Sequence, residues 1–237
     1  MRFAECSVMA EYSLYAHAQG SGPELVLVHG WGLNGDVWDE LADELAQRFR
    51  VTVVDLPGYG RSPLCAGEYS LENLAEHLAA AVTRPATWVG WSLGGLVCQQ
   101  LALQHPELVE RLILICSSPR FVADAEWPCG IDEQVLTLFG WDLATDFRGT
   151  LLRFLALEAR GSEHARDELR TLRERVFRHG EPALPAVQGG LELLRVSDFR
   201  HRLEAISCPV RIMLGERDQL VPQQSLAAAK ALQPAIE

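Results

Sequence analysis

The sequence has little positive charge, with 21 lysine and arginine residues against 32 aspartate and glutamate residues and a net charge of −11. This balance argues against nucleic acid as the main partner, because a nucleic-acid surface needs clustered cations. Long apolar runs are also missing, and the run at 112–116 is far too short to cross a bilayer. The N-terminus carries Glu5 and Glu11 and has no basic start before an apolar run, unlike a secretory signal. We therefore expect no membrane partner and a cytoplasmic location.

Paired cysteine spacing is absent as well. The six cysteines are scattered, which is typical of reduced structural thiols rather than of a disulfide framework. No cysteine–histidine spacing suggests a metal site, so we expect no metal and no other cofactor. Histidine is missing from the end of the chain, since none follows His201.

The 237 residues suffice for one large domain, and short apolar runs alternate with helical patterns through the first half. This alternation predicts an α/β fold with a mostly parallel central sheet flanked by helices. From about 131 to 194 the periodicity is only helical, and a strand pattern returns at 209–214. We predict an α/β core at 1–120 and 197–237, with a helical cap inserted at 121–196.

The strongest chemical signal lies at residues 90–95, which read GWSLGG and match G-x-S-x-G. A predicted strand precedes the motif and a predicted helix follows it, as a nucleophile elbow requires. The tight turn forces a strained backbone on Ser92 and needs very small neighbours. We predict Ser92 as the nucleophile; the alternative is a glycine-rich turn with an incidental serine.

Residues 29–32, which read HGWG, follow a buried strand. In such folds this loop offers one backbone N–H to a developing oxyanion, and the residue after the nucleophile offers another. We predict Trp31 and Leu93 as these two donors and expect His29 to hold the loop in shape. The alternative makes His29 and Trp31 packing residues. The glycine-rich segment 55–62 is interpreted as a structural loop at the same sheet edge.

Asp218 follows the predicted strand at 209–214, which places its carboxylate at the same sheet edge as Ser92. It is predicted to orient a histidine, with Glu216 as the local competitor. In this topology the histidine follows one more strand beyond the acid, yet no such histidine occurs. We expect that the chain is truncated and lacks its final strand, its final helix and the catalytic histidine.

A local basic stripe lies in the predicted cap. Arg166, Arg170 and Arg173 are spaced i, i+4 and i+7, so they share one helix face. On an acidic protein this stripe is a plausible docking surface for a small acidic partner. The interleaved acids leave an alternative open, a solvated helix with Glu–Arg pairs.

Several runs carry a resemblance to a known family over nearly the whole chain. They are residues 27–34 (LVHGWGLN), 54–62 (VDLPGYGRS) and 90–97 (GWSLGGLV), with the more specific runs 117–119 (SSP), 126–128 (EWP), 153–157 (RFLAL) and 189–192 (GGLE). Together they resemble the pimeloyl-[acyl-carrier protein] methyl ester carboxylesterase family of biotin synthesis, within the α/β-hydrolase superfamily.

The resemblance implies hydrolysis of the methyl ester of pimeloyl-acyl carrier protein, giving methanol and the free carrier-bound acid. Separately, we expect the chain to be a monomer. It implies substrate contacts at Trp31, Ser92, Leu93, Phe154, Leu155, Ala156, Leu157 and Glu158, the last standing where the family has glutamine. It also implies that acyl carrier protein docks on Arg148, Arg153, Arg166 and Arg170.

Two other functions remain open. One is a general short-chain carboxylesterase, or another α/β-hydrolase reaction such as carbon–carbon bond cleavage. The other is a catalytically incomplete, hydrolase-like module that binds an acyl carrier or ligand, which the absent histidine favours.

Overall fold

A computed structural model describes residues 13–158, 165–218 and 220–237. The described residues form a six-stranded sheet in the order β1-β3-β2-β4-β5-β6. Strand β1 is antiparallel to β3, and all other neighbours are parallel. The strands are β1 (Ala16–Gly20), β2 (Glu24–Val28), β3 (Arg50–Val54), β4 (Ala86–Trp91), β5 (Val109–Ile115) and β6 (Val210–Met213). The predicted α/β class with a mostly parallel sheet is confirmed.

Helices cover both faces of this sheet. The α-helices packed around it are α1 (Asp39–Leu45), α2 (Leu71–Ala81), α3 (Leu93–Gln104) and α8 (Gln224–Leu232). Short 3₁₀ helices span Gly35–Trp38, Pro106–Leu108 and Leu203–Ala205. The helical spacing of Val37, Leu41 and Leu45 predicts one helix over 36–49. The structure differs, because Asn34 caps a 3₁₀ turn first and α1 ends at Leu45. The cap that Asn34 provides, a side-chain oxygen accepting from the Asp36 N–H, therefore starts a tighter turn than periodicity suggests.

In the described part of the chain, four α-helices lie between β5 and β6. They are α4 (Glu133–Thr145), α5 (Phe147–Glu158), α6 (Ala165–Phe177) and α7 (Leu184–Val196). All four fall within the predicted cap range 121–196. Arg120 and Asp198 form an isolated antiparallel bridge and an ion pair at 2.9 Å, where the predicted cap leaves and rejoins the core. The domain boundaries themselves stay a prediction.

The central strands are buried on both faces, which explains their continuous apolar runs. A smaller core, including Leu25, Leu27 and Trp38, fills the face toward α1. A larger core on the other face continues from the sheet into the cap, and it includes Trp31 and Phe154. The cap therefore shares one hydrophobic core with the sheet.

The outer edge of β6 pairs with the last residue of the sequence. The Glu237 N–H donates to the Val210 carbonyl, and the Ile212 N–H donates to the Glu237 carbonyl, each at 3.0 Å. The expectation of a missing final strand and helix stays a prediction. Within the part of the chain that the structure describes, none of the helices combines the length and apolar character needed to cross a membrane.

Candidate active site

Ser92 occupies a strained turn between β4 and α3. Its φ is 52° and its ψ is −115°, a region that residues with a side chain rarely adopt. A Cβ at Gly94 would lie 2.5 Å from the carbonyl oxygen of His29, so the first turn of α3 tolerates no side chain there. The strand–turn–helix context predicted for the nucleophile motif is present.

The loop predicted to supply an oxyanion donor lies directly beside Ser92. A Cβ at Gly30 would be 3.3 Å from the Ser92 Cβ, and Trp31 is buried behind it. The Trp31 indole N–H donates to the Val187 carbonyl at 2.7 Å, which ties this loop to α7. Leu93 is the first residue of α3, where backbone N–H groups have no intrahelical acceptor. The structure thus brings Ser92, Trp31 and Leu93 together.

His29 holds this loop in shape through hydrogen bonds at both of its ring nitrogens. Its Nε2 accepts from the Leu56 N–H at 2.9 Å, so Nδ1 carries the proton and donates to the Gly30 carbonyl at 2.8 Å. Burial lowers the pKa of His29, although Asp55 opposes the shift. Because both ring nitrogens are engaged and the ring is fully buried, His29 is a neutral structural residue.

The segment at 55–62 is held by a buried ion pair. Asp55 accepts from the Arg61 Nε at 2.7 Å and from the Gly35 N–H at 2.6 Å. Burial alone would raise the pKa of Asp55, but the hydrogen bonds from Arg61 and from the Gly35 N–H, together with the electrostatic interaction with His29, outweigh it, and the net pKa lies below the usual range. The predicted structural role of this loop agrees with these contacts.

Trp31, Phe154 and Phe139 form a continuous row of aromatic rings from the loop beside Ser92 into the cap, called the aromatic wall below. The ring centroids of Phe154 and Trp31 are 4.6 Å apart, and those of Phe139 and Phe154 are 5.6 Å apart. Both pairs pack edge to face. Of the residues expected at the substrate, Leu155 is buried and Ala156 is exposed. The Leu157 and Glu158 side chains lie outside what the structure describes.

Phe139 and Gly190 lie beside the site, but the sequence did not predict either as a site residue. Phe139 carries no motif, and its position depends on how α4 packs on α5. Gly190 was noted only within a matching run, yet a Cβ there would lie 2.9 Å from Trp31 and 3.0 Å from Leu93. Glycine pairs inside a predicted amphipathic helix, such as 189–190, were the available signal of this close approach.

The predicted acid lies beyond the end of β6, two strands away from β4. One Asp218 carboxylate oxygen accepts from the N–H groups of Leu220 and Val221 at 2.8 and 2.9 Å. Asp218 is half-buried, whereas the competing Glu216 is exposed. The carboxylate is therefore held by its own turn, and the structure does not pair it with Ser92.

No histidine in the described ranges is hydrogen-bonded to Ser92 or Asp218. His29 is engaged as above, His105 pairs with Glu76, and His179 pairs with Asp36. His164 lies outside the described residues. The same ranges contain no group of three or more His, Cys, Asp or Glu side chains arranged for a metal ion.

The predicted docking arginines fall into two groups. Arg166 and Arg170 are exposed on α6, together with Arg173, and Arg170 lies 3.8 Å from Asp167 on the same helix. Arg148 stacks on Phe177 with 4.3 Å between its guanidinium carbon and the ring centre, and it lies 3.7 Å from Glu181. Arg153 pairs with Asp142 at 3.0 Å and with Asp146 at 3.3 Å, so two carboxylates already share its charge.

The chain is similar to a known family and to several named relatives. The family model described as "alpha/beta hydrolase fold" matches residues 23–237. The pimeloyl-[acyl-carrier protein] methyl ester esterase of Aeromonas hydrophila subsp. hydrophila is 50% identical over 208 residues, covering 87% of this chain and 82% of the relative. The enzyme of the same name from Xanthomonas campestris pv. campestris is 46% identical over 215 residues, covering 91% and 84%.

Solved structures show the same architecture. An esterase from Exiguobacterium antarcticum superimposes with a TM-score of 0.85 at 23% identity, covering 94% of this chain and 85% of that one. At this identity the likeness supports the fold alone. With the family match and the close relatives, the conclusion is that the chain belongs to the α/β-hydrolase superfamily, in the family of the pimeloyl-[acyl-carrier protein] methyl ester esterases.

Proposed function

We propose that this chain is a serine carboxylesterase that hydrolyses the methyl ester of pimeloyl-acyl carrier protein. The observation that carries the proposal is the strained Ser92 beside the Gly30–Trp31 loop and the first turn of α3. The printed name of the relatives at 45–50% identity supports this substrate.

The reaction is acyl transfer in two steps. The Ser92 hydroxyl oxygen attacks the ester carbonyl carbon while a base takes its proton, and the N–H groups of Trp31 and Leu93 stabilise the oxyanion. Collapse of the tetrahedral intermediate breaks the bond to the methoxy group, which leaves as methanol after receiving the proton. Water then attacks the acyl-enzyme and releases the acid. The proposed base is a histidine that in this topology follows one more strand beyond Asp218, where this sequence has none, and Asp218 would orient it.

The acyl chain would lie against the aromatic wall. Phe154 and Phe139 continue from Trp31 into the apolar core of the cap, an environment that suits a methylene chain. Phe154 and Leu155 come from α5, so the cap would contribute to chain selection while the core supplies the chemistry. Ala156 is exposed, so it would contribute less to enclosing the chain than the buried Leu155.

Acyl carrier protein is the proposed partner. The exposed stripe of Arg166 and Arg170 offers positive charge on an otherwise acidic chain, which favours encounter with a small acidic protein. Arg153 would contribute less, because two carboxylates share its charge, and so would Arg148, because it stacks on Phe177. The proposed setting is the cytoplasm, with the chain acting as a monomer.

A second candidate is a hydrolase-like module that binds an acyl carrier without turnover. It is favoured by one observation, the lack of a described histidine bonded to Ser92. The general short-chain esterase shares all the geometry of the first proposal and differs from it only in substrate preference.

The test combines labelling with turnover. Purified protein is treated with phenylmethylsulfonyl fluoride and mapped by mass spectrometry, and hydrolysis of pimeloyl-acyl carrier protein methyl ester is compared with that of p-nitrophenyl butyrate. Labelling at Ser92 with preferred cleavage of the carrier-bound ester supports the proposal, and Ser92→Ala should lose both. Preference for the p-nitrophenyl ester favours the general esterase. Carrier binding without labelling or turnover favours the binding module.

A further inference from the structure

Two residues other than glycine have a positive φ within the described ranges, and they lie side by side. Ser92 has a φ of 52° and Cys116 has a φ of 44°. They directly follow the paired residues Trp91 and Ile115 at the ends of the parallel strands β4 and β5. The strain at the nucleophile is thus matched by strain on the neighbouring strand.

The residues on either side of Cys116 each form a hydrogen bond with the Ser92 backbone. The Ile115 carbonyl accepts from the Ser92 N–H at 2.9 Å, and the Ser117 hydroxyl donates to the Ser92 carbonyl at 2.9 Å. Ser117 is fully buried, so water does not compete for this hydroxyl. Residues on both sides of Cys116 therefore hold the Ser92 backbone at its N–H and at its carbonyl.

Fixing the Ser92 carbonyl also fixes its neighbour's N–H. The carbonyl of Ser92 and the N–H of Leu93 belong to one planar trans peptide group, in which the two bonds point in opposite directions. Holding the carbonyl toward Ser117 and the Gly95 N–H therefore directs the Leu93 N–H to the opposite side.

We propose that Ser117 is a positioning residue for the reaction: its hydroxyl, held on the Ser92 carbonyl, orients the Leu93 N–H toward the oxyanion. This role rests on the proposed function, in which Leu93 is one of the two oxyanion donors. Ser117 touches neither substrate nor the reacting atoms and acts through the peptide between Ser92 and Leu93.

The elbow should still form without this hydroxyl. The Ser92 carbonyl also accepts from the Gly95 N–H at 2.9 Å and from the Leu96 N–H at 3.4 Å, so it remains bonded in Ser117→Ala. A Cβ at Gly95 would lie 2.3 Å from the Ser117 Oγ, which shows how closely the hydroxyl packs on α3. Its loss would leave the peptide bonded but less narrowly oriented.

Ser118 provides a matched control. It is also buried, and its hydroxyl donates to the Arg120 carbonyl at 2.9 Å, away from the elbow. With p-nitrophenyl butyrate, Ser117→Ala should lower kcat by about 10- to 100-fold and change KM less than about twofold, because a small misplacement of a donor acts on the transition state. Ser118→Ala should stay within about threefold of the parent protein in both parameters.

Inhibitor affinity separates positioning from general damage. A trifluoromethyl ketone, which forms a tetrahedral adduct with the serine, should bind Ser117→Ala about 10-fold more weakly or worse, while butyrate binding stays unchanged. Equal weakening of both ligands, or a kcat loss matched by Ser118→Ala, would overturn the proposal. Ser117→Cys keeps the side-chain size with a weak donor and should reproduce the kcat loss if the alanine variant fails to fold.

Failure of the proposed function can be distinguished from failure of the Ser117 proposal. If the parent protein cleaves p-nitrophenyl esters but not pimeloyl-acyl carrier protein methyl ester, the substrate proposal is wrong and the Ser117 comparison is still read on the small ester. If the parent protein cleaves neither ester, the Ser117 proposal is tested by the orientation of the Ser92–Leu93 peptide in crystal structures of the parent protein and Ser117→Ala. A rotated Ser92–Leu93 peptide supports the positioning role, and an unchanged peptide overturns it.

Discussion

The Trp31 indole N–H donates to the carbonyl of Val187 at 2.7 Å, so the loop beside the nucleophile is bonded directly to cap helix α7. Both groups are buried. Because 156 residues separate them along the chain, this bond joins the core and the cap at the site itself. The position of the cap helix and the shape of the oxyanion loop therefore depend on each other.

Trp31→Phe should weaken both stability and catalysis. The Val187 carbonyl lies within α7 and would lose this second donor, and one buried hydrogen bond typically contributes about 0.5–1.5 kcal/mol. Trp88→Phe is a matched control, because the buried Trp88 indole donates to the Leu108 carbonyl at 2.8 Å, remote from the site. Urea unfolding should show similar losses in both variants, while only Trp31→Phe raises KM for butyrate esters. A parallel KM change in both variants would contradict this interpretation.

Gly190→Ala should push α7 away from Trp31 and Leu93 and so lower both stability and turnover. The added methyl would lie 2.9 Å from Trp31 and 3.0 Å from both Leu93 and Tyr59, so the helix must shift. Overpacking of this kind costs about 1–3 kcal/mol and should lower esterase turnover. Thermal unfolding and kcat/KM measure the two effects.

The control for that substitution is Gly140→Ala in α4. Its methyl would meet Leu191 at 3.6 Å, an ordinary contact, in the middle of a helix. Since alanine is favoured over glycine there, stability should be unchanged or raised by about 0.5–1 kcal/mol. An equal loss in both variants would mean that close approach at Gly190 is not the cause.

Mild acid should destabilise the protein through His29. Burial lowers the folded-state pKa of His29 below the ordinary 6.5, so the unfolded chain takes up a proton first as pH falls. The stability associated with neutral His29 is present above pH 6.5 and is lost as pH falls from there through the folded pKa. Urea unfolding at pH 8 and pH 5.5 should show a smaller difference in His29→Gln than in the parent protein. The same difference in both would exclude His29 as the source.

Arg170→Glu should affect carrier-bound esters selectively. The side chain is exposed on α6 and its only described ion pair is the exposed one with Asp167 at 3.8 Å, so the reversal should change folding little and slow encounter with an acidic carrier. We expect kcat/KM to fall about 10-fold for pimeloyl-acyl carrier protein methyl ester and less than about twofold for p-nitrophenyl butyrate. Arg84→Glu makes the same charge change at another exposed arginine, which pairs with Glu24 beside β2, outside the cap. Equal losses for both esters, or equal losses in Arg84→Glu, would contradict docking on α6.

Local patterns in the sequence determined most of the fold. The local pattern predicts strands at 13–18, 25–28, 51–54, 87–90, 112–116 and 209–214, within a few residues of the six described strands, and the helical periodicity after residue 131 predicts the cap helices. Strand pattern and helix pattern depend on neighbours two to four residues apart, which a sequence displays directly. The elbow at residues 90–95 was predictable for the same reason, because its glycines, serine, strand and helix are contiguous.

Tertiary packing decided which distant groups meet at the site. Nothing in the sequence links Trp31 to Val187, Ser117 to the Ser92 carbonyl, or Arg153 to Asp142, since these contacts follow from strand order and helix packing. A hydrogen bond between buried groups needs an atomic fit of a few tenths of an ångström, whereas the sequence pattern specifies only which face of an element is buried. The sequence alone thus determined the elements and the nucleophile motif, and the tertiary structure decided how the nucleophile is held.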